Sequence, residues 1–412
     1  MKNALFAVAV ALLPAFSPAA FDVRDYGAKG NGVAKDTAAI QKAIDAAAAA
    51  GGGTVELGPG TYLTGSLFLK SNVDFHVGPG ATVKASPDKA DYNAADVCPQ
   101  NSPGCKPESV TGQHLFLCIE QRNVTVRGPG CVDGNSAAFL INPATGLPWG
   151  RTKDTPPSEF WHGQGSIPFR PAQMLYFVEC ENVRLSDLEL KDSHYWNVFL
   201  HGCEHVFVRG LRIHNEKTRF HTHNGDGIDI DCSRFVTVSD CDIDTSDDCI
   251  TLRASGSRLK RKGDCAYVTV ENCVLSTPCN CLRAGVGEGR VHDVTLNNIV
   301  VHHSRNALNF VGAWKKCVKG VDFENISCSN WIVDCAKLIR LYPHQAENVT
   351  FRNLRFSNFS GVAHEPSELT GLAHMPAENV FFTDVNVKCK VDVKNVKNLV
   401  VERSALEIVE KP

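Results

Sequence analysis

The chain has almost no charge bias: 42 lysines and arginines against 45 aspartates and glutamates leave a formal net charge of -3 over 412 residues. So small a field gives no reason to expect a nucleic-acid partner, although a local basic site for an acidic sugar stays open. Beyond the first residues no apolar window is long enough to cross a bilayer, so no membrane partner is expected. Zinc-finger spacing is missing as well: Cys279-Asn280-Cys281 has no second ligand pair at a suitable distance, and a zinc site is not expected. No helical period separates the apolar segments of the central and C-terminal chain, which argues against a βαβ sheet.

What is present begins with an export signal. Lys2, the apolar run Ala4 to Leu13 and the small residues Ser17 and Ala19 read as a signal peptide over 1–19, too short to be a membrane span. Residues 20–412 are then expected to be one soluble, secreted, extracellular domain and a monomer. Seventeen cysteines in such a chain suggest disulfides, and the odd count leaves at least one thiol free. Local bridges are plausible around Cys98 and Cys105 and around Cys279 and Cys281, whereas Cys241 and Cys273 fall on apolar positions where a thiol packs as a small hydrophobe.

After FDVRDYGAKGNG, Asp36 is placed to cap a helix whose Ile40, Ala43, Ile44 and Ala47 make one apolar stripe, ended by Gly51-Gly52-Gly53. A repeat then emerges. Segments beginning at Asn123, Asn182, His205, Phe235, Tyr267, Asp293, Gly320, Asn348 and Asn379 share an alternating apolar pattern, spaced by 23 to 32 residues after a first gap of 59. Units of variable length built from short strands predict an all-β right-handed parallel β-helix, a solenoid whose N-terminal end the helix caps. A proline- and tryptophan-rich insertion at about 133–171 interrupts it. Asn-X-Ser/Thr sequons begin at Asn123, Asn325, Asn348 and Asn358, and Asn123 and Asn348 also occupy the repeat's turn column, where asparagines can form a ladder.

Within HTHNGDGIDIDCSRFVTVSDCDIDTSDDCITLR, Ile228, Ile250 and Leu282 match as inward positions of successive turns. Asp226, Asp248 and Asn280 then share one column, and Gly225, Asp247 and Cys279 the column before it. Equivalent positions on neighbouring turns of a parallel coil lie about 4.8 Å apart. Three carboxylates at that spacing repel, so at least one should hold its proton near neutrality, as acid-base cleavage of a glycosidic bond requires. Asp240, Asp242 and Asp244 belong to another part of the turn. A solvated or calcium-binding acidic patch is the alternative reading of the cluster.

Over almost all of the mature chain the sequence resembles the polygalacturonase family of glycoside hydrolases, family 28. The residues that carry the likeness are FDVRDYGAKGNGVAKDT, RPAQMLYFVECENVRLSDLELKDSHYWNVFLHGCEHVFVRGLRI from Arg170, NGDGIDID from Asn224 and SDDCITL from Ser246. The resemblance implies an inverting, polygalacturonase-like hydrolase that cleaves α-glycosidic bonds of pectic polysaccharide without metal or other cofactor. It makes Asp247 the general acid and Asp226 and Asp248 the pair that holds and deprotonates water, with Asn224 orienting the group. Two family motifs are altered: the histidine expected one turn after the aspartate pair is Asn280, and no basic pair stands near Asn306 to Phe310. Arg283, in the outward column of Asp229 and Thr251, is a candidate replacement cation, as are Arg253 and Arg305, with an ordinary Arg283–Asp229 ion pair as the alternative. His223 is the first substitute to consider for the lost histidine, while His194 and His221 read as loop or groove residues. These losses shift the expected substrate from plain homogalacturonan toward rhamnogalacturonan or another modified backbone. A lyase on the same coil, with carboxylate-bound calcium and Arg253 or Arg283 as base, and a non-catalytic sugar-binding coil are the competing functions.

Overall fold

The structure, a computed structural model, describes residues 19–94, 112–155, 167–215, 224–256, 259–313 and 316–411. Short strands recur along the chain and pair in parallel with their equivalents one turn later. Leu175–Val178 pairs with Val198–His201, then Ile228–Asp231 and then Ile250–Ala254. A second stack runs through Glu181–Ser186, Glu204–Arg209 and Arg234–Ser239, and a third through Glu189–Lys191, Arg212–His214 and Asp242–Asp244. Three parallel sheets wound by one chain make the expected parallel β-helix. Past Cys265 the strands continue around the corners, as in Cys265–Gly287, Arg290–Val311 and Asp322–Tyr342.

Alternation drives the winding, because every second side chain of each strand points into the coil and meets its counterpart from the next turn. One interior column reads Val183, Val206, Val236, Val268, Val294, Ile326, Leu354 and Val380 in register, all buried. Burying such a side chain stabilises the fold by roughly 1.5–3 kcal/mol. The residue before each column member turns a corner with φ between 54° and 59°. This left-handed conformation costs most residues about 1–2 kcal/mol, and asparagine tolerates it best after glycine.

At this corner the asparagines also bond one another: Asn325 Nδ2 donates to Asp293 Oδ1, Asn353 to Asn325 and Asn379 to Asn353, each at 2.9 Å. On earlier turns the same site holds stacked rings, His205 on Phe235 at 4.9 Å and Phe235 on Tyr267 at 5.1 Å. Here the structure corrects the expected register. Asn325 and Asn353, not Gly320 and Asn348, stand in line with Asp293 and Asn379. Val321 with Phe323 and Ile326 with Cys328 are two consecutive alternating pairs and all face inward, so apolar spacing fits both alignments. Asn348 instead donates to Val318 O across a surface turn, at 2.9 Å.

The helix Thr37–Ala49 closes the N-terminal end with Ile40, Ala43, Ile44 and Ala47 buried, as expected. Asp36 is not its side-chain cap: the carboxylate accepts from Lys29 N at 2.7 Å and Gly30 N at 3.0 Å, tying down the Gly-rich turn instead. Val396–Glu402 and Glu407–Glu410 pair with the preceding strands as a last turn. In the insertion, the short helix Ser136–Leu140 sends Phe139 against Phe169 and His194.

All fifteen described cysteines are free thiols, so the bridge that was plausible around Cys279 and Cys281 is not formed. Cys281 faces the interior, while half-buried Cys279 faces the carboxylates, so the two sulfurs point to opposite sides of one strand. Cys98 and Cys105 lie outside the described residues, as does the signal segment 1–18. Cys241 and Cys273 are buried thiols, as their apolar positions indicate.

Candidate active site

The strands Ile228–Asp231, Ile250–Ala254 and the middle of Cys265–Gly287 place Ile228, Ile250 and Leu282 in register. Two residues before each stand Asp226, Asp248 and Asn280, the expected column. Gly227 N bonds Asp248 O at 2.8 Å and Cys249 N bonds Asn280 O at 2.9 Å, so the alignment is held by backbone and does not depend on side-chain rotamers. Extended by the same register, the column runs back to Trp196 on the turn before and on through Asn306 and Lys337.

The three carboxylates differ in environment. Asp226 and Asp248 are buried, whereas Asp247 is only half-buried. Burial, then the charges of Asp247, Asp229 and Asp248, push the Asp226 carboxyl well above its ordinary range, with Arg283 opposing. Asp248 is gripped on both oxygens: Asn280 Nδ2 donates to one at 2.5 Å and Arg283 to the other at 3.1 Å. The Asn280 carbonyl in turn accepts from Asn306 Nδ2 at 2.7 Å and Asn309 Nδ2 at 2.9 Å, which orients the amide with its NH2 toward Asp248. Arg283 therefore pairs with Asp248, and the alternative pairing with Asp229 is not the one found.

Asp229 accepts from the Thr251 hydroxyl and lies 3.8 Å from Arg253. Burial raises its carboxyl to about 7 against the pull of Arg253 and Thr251. Beside it is a second buried network, in which Asp231 faces His201 at 3.4 Å and Arg253 at 3.7 Å and accepts from Ser255 N at 2.7 Å. Burial alone would raise Asp231, but His201, Arg253 and the backbone bond together hold it below the ordinary value. The Arg253 guanidinium also lies over the Trp196 ring, 4.6 Å from its centroid.

Among the other candidates, Asn224 turns with φ 54°, two residues before Asp226 and partly exposed. Arg305 donates to Cys279 Sγ at 3.5 Å, and its charge faces Asp247 and Asp248. His194 is a core residue: burial and the nearby Arg170 push it down to about 3, so it is neutral. His221 and His223 lie outside the described residues. The ligand atoms of Asp247, Asp248 and Cys279 lie within 4.8 Å of one another, close enough to share a cation, although Arg283 already sits on Asp248. Sequence reasoning missed Asn306, Asn309 and the His201–Asp231 pair. Extending the register one strand in each direction would have found them.

A carboxyl that burial drives toward its neutral form, one clamped by an arginine and an amide, and a third that is only half-buried can together pass a proton between a bridging oxygen and a water. Acid and base groups brought together in this way on a parallel β-helix are what cleavage of a glycosidic bond requires. Comparison with known proteins narrows it: the profile of glycosyl hydrolases family 28 matches residues 104–405, and that of rhamnogalacturonase A/epimerase, pectate lyase-like, matches residues 20–155. The chain belongs to glycosyl hydrolases family 28. A probable polygalacturonase of Arabidopsis thaliana is 27% identical over 317 residues, 70% of this chain and 60% of that one; the chain thus spans under two thirds of this relative's length. A polygalacturonase of Malus domestica is 24% identical, covering 83% of this chain and 69% of its own. Among solved structures, an exopolygalacturonase of Thermotoga maritima superposes with TM-score 0.70 at 19% identity, covering 94% of this chain and 93% of its own, which shows the shared fold.

Proposed function

We propose that the protein hydrolyses α-glycosidic bonds of a pectic polysaccharide with inversion, Asp247 acting as general acid and Asp226 with Asp248 activating the water. The observation that carries this reading is the column in which Asp226 and Asp248 stack on successive turns with Asp247 at their side. Asp247 alone of the three reaches the cleft, where a leaving oxygen can take a proton. A cluster this tight titrates as a unit, so the proton favoured on Asp226 in the free protein is available to the group. Asn224 and Asn280 orient the water-activating pair.

Arg283 and Arg340 flank Asn309 in the outward column, one strand to either side of the place where the sequence lacks a basic residue. They give the cleft cations for an acidic sugar, with Arg305 beside Asp247 as a third and Arg253 behind Asp229. His223 keeps its place as a candidate contact on the loop before Asn224. The protein is exported by its first nineteen residues and works outside the cell as a monomer.

The test is a panel of homogalacturonan, rhamnogalacturonan and substituted backbones, scored for new reducing ends and for the anomer first formed. Inverted product from a modified backbone, with weak release from plain polygalacturonate, is expected; retained configuration would overturn the mechanism. The shared approach of Asp247, Asp248 and Cys279 keeps a calcium-dependent lyase as the second reading, although a thiol is a poor ligand for so hard a cation. Unsaturated, ultraviolet-absorbing products that vanish on chelation would establish that reading instead.

A further inference from the structure

We infer that the cleft is a dead end on one side of the carboxylates and that the enzyme therefore trims its polymer from a chain end, one sugar at a time. This rests on the hydrolase reading above and adds the mode of attack. Outward positions of the sheet that carries the carboxylates should face solvent along its whole length. On the turns after the catalytic one they open progressively: the Arg283 side chain is 18% exposed and Asn309 is still buried, and side-chain exposure then rises to 30% at Arg340, 37% at Glu368 and 38% at Asp392. An open cavity of about 420 Å³ lined by Lys337, Glu368, Asp392, Lys394 and Lys411 continues that run.

On the turns before, the same positions are sealed. Phe199 and Tyr176 precede Asp229 in the outward column, and exposure falls to 5% at Phe199, 4% at Trp196 and zero at Tyr176 and Tyr195. With Val178, Cys232 and Leu259 these rings form a second apolar cluster outside the coil. Residues 259–261, past the strand Ile250–Ala254, help to cover it. Leu259 presses on Gly202, where a Cβ would come within 2.9 Å of it, and Arg261 N bonds Glu179 at 2.7 Å. Lys260 pairs with Glu120, which follows Ile119, four strands before Arg253 in the outward column.

A polymer lying along this sheet can run out past Arg283 and Arg340 but meets a wall at Trp196. Trp196 stands one turn before Asp226 in the same column, about 4.8 Å away. With the wall on the strand next to Asp226 and the Arg253 guanidinium over its Trp196 ring, there is room for at most one sugar on that side, and an internal bond cannot reach the carboxylates without threading sugars through the volume these rings fill.

The experiment follows the wild-type protein on the pectic polymer it cleaves best, comparing viscosity with reducing ends and sizing products from the first time point, then repeats the sizing on defined oligosaccharides. Expected are a monosaccharide as the first and dominant product, oligomers that shorten by one sugar per event, and viscosity that persists while reducing ends accumulate. A spread of oligomers with early loss of viscosity overturns the chain-end mode and leaves hydrolysis intact; disaccharide as the sole early product overturns the one-residue spacing. Absence of reducing ends on every substrate overturns the hydrolase reading and this one with it.

Discussion

Asp247 separates chemistry from folding most cleanly, because it alone of the three carboxylates is half-buried rather than buried. Asp247→Asn should lower kcat by about 10²–10⁴ with unchanged circular dichroism and thermal midpoint. Activity above a third of wild type would remove it as the acid. Arg283 behaves differently. It neutralises a buried Asp248, and removing one partner of a buried pair costs about 3–5 kcal/mol. Arg283→Ala should therefore lose stability as well as turnover, and Arg283→Lys should regain more of the stability than of the turnover; denaturant midpoints beside kinetics separate the two. The sequence made the three aspartates legible because the interval from Asp226 to Asp248 equals one turn, and a turn-length interval turns chain distance into contact. Asn306 and Asn309 stayed hidden because nothing in their own segment marks them as donors to Asn280 on the turn before, which in turn grips Asp248.

At the scale of the corner and strand, the asparagine ladder does what apolar spacing cannot. Asn325 combines a left-handed backbone with bonds both given and received, whereas Asn348 makes an exposed turn contact. Asn325→Ala should cost about 1–2 kcal/mol from the lost bond and the strained φ, and Asn348→Ala clearly less. Urea unfolding of both variants checks this, and equal losses would contradict the register found. The slip of five residues at Gly320 and Asn348 has the same root. Alternation of period two is satisfied wherever inward residues follow one another around a corner, so only the polar ladder fixes which pair belongs to which sheet. The cover at Leu259, Lys260 and Arg261 was illegible for another reason: the anchors Glu120 and Glu179 lie on turns far earlier in the chain, and no local pattern names them.

For the whole molecule, the buried acids set how stability responds to pH. The folded state holds protons on Asp229, raised to about 7, and on Asp226, raised well above its ordinary range, while the unfolded chain releases them near the ordinary 3.8. Between those values the native state binds more protons, so stability falls as pH rises across this window. Asp231, held low, adds stability that is present above the ordinary value and lost in stronger acid. The thermal midpoint should therefore be highest at about pH 4–5 and decline toward about pH 7, with Asp229→Asn flattening the decline. A midpoint that climbs over that range would refute the assignment.

The core of the coil is also lined with sulfur. Cys118 and Cys180 sit 3.5 Å apart on successive turns, with Cys203 on the next, all unbonded and sealed from solvent. Burial pushes the Cys118 and Cys203 thiols up and leaves them inert in the finished protein. In the unfolded chain the same thiols are free to react, and every mispairing ties together turns that must wind in order. Winding is thus a race against oxidation: protein oxidised before refolding should be trapped as scrambled disulfides, whereas the folded coil should pass through the same oxidant unchanged.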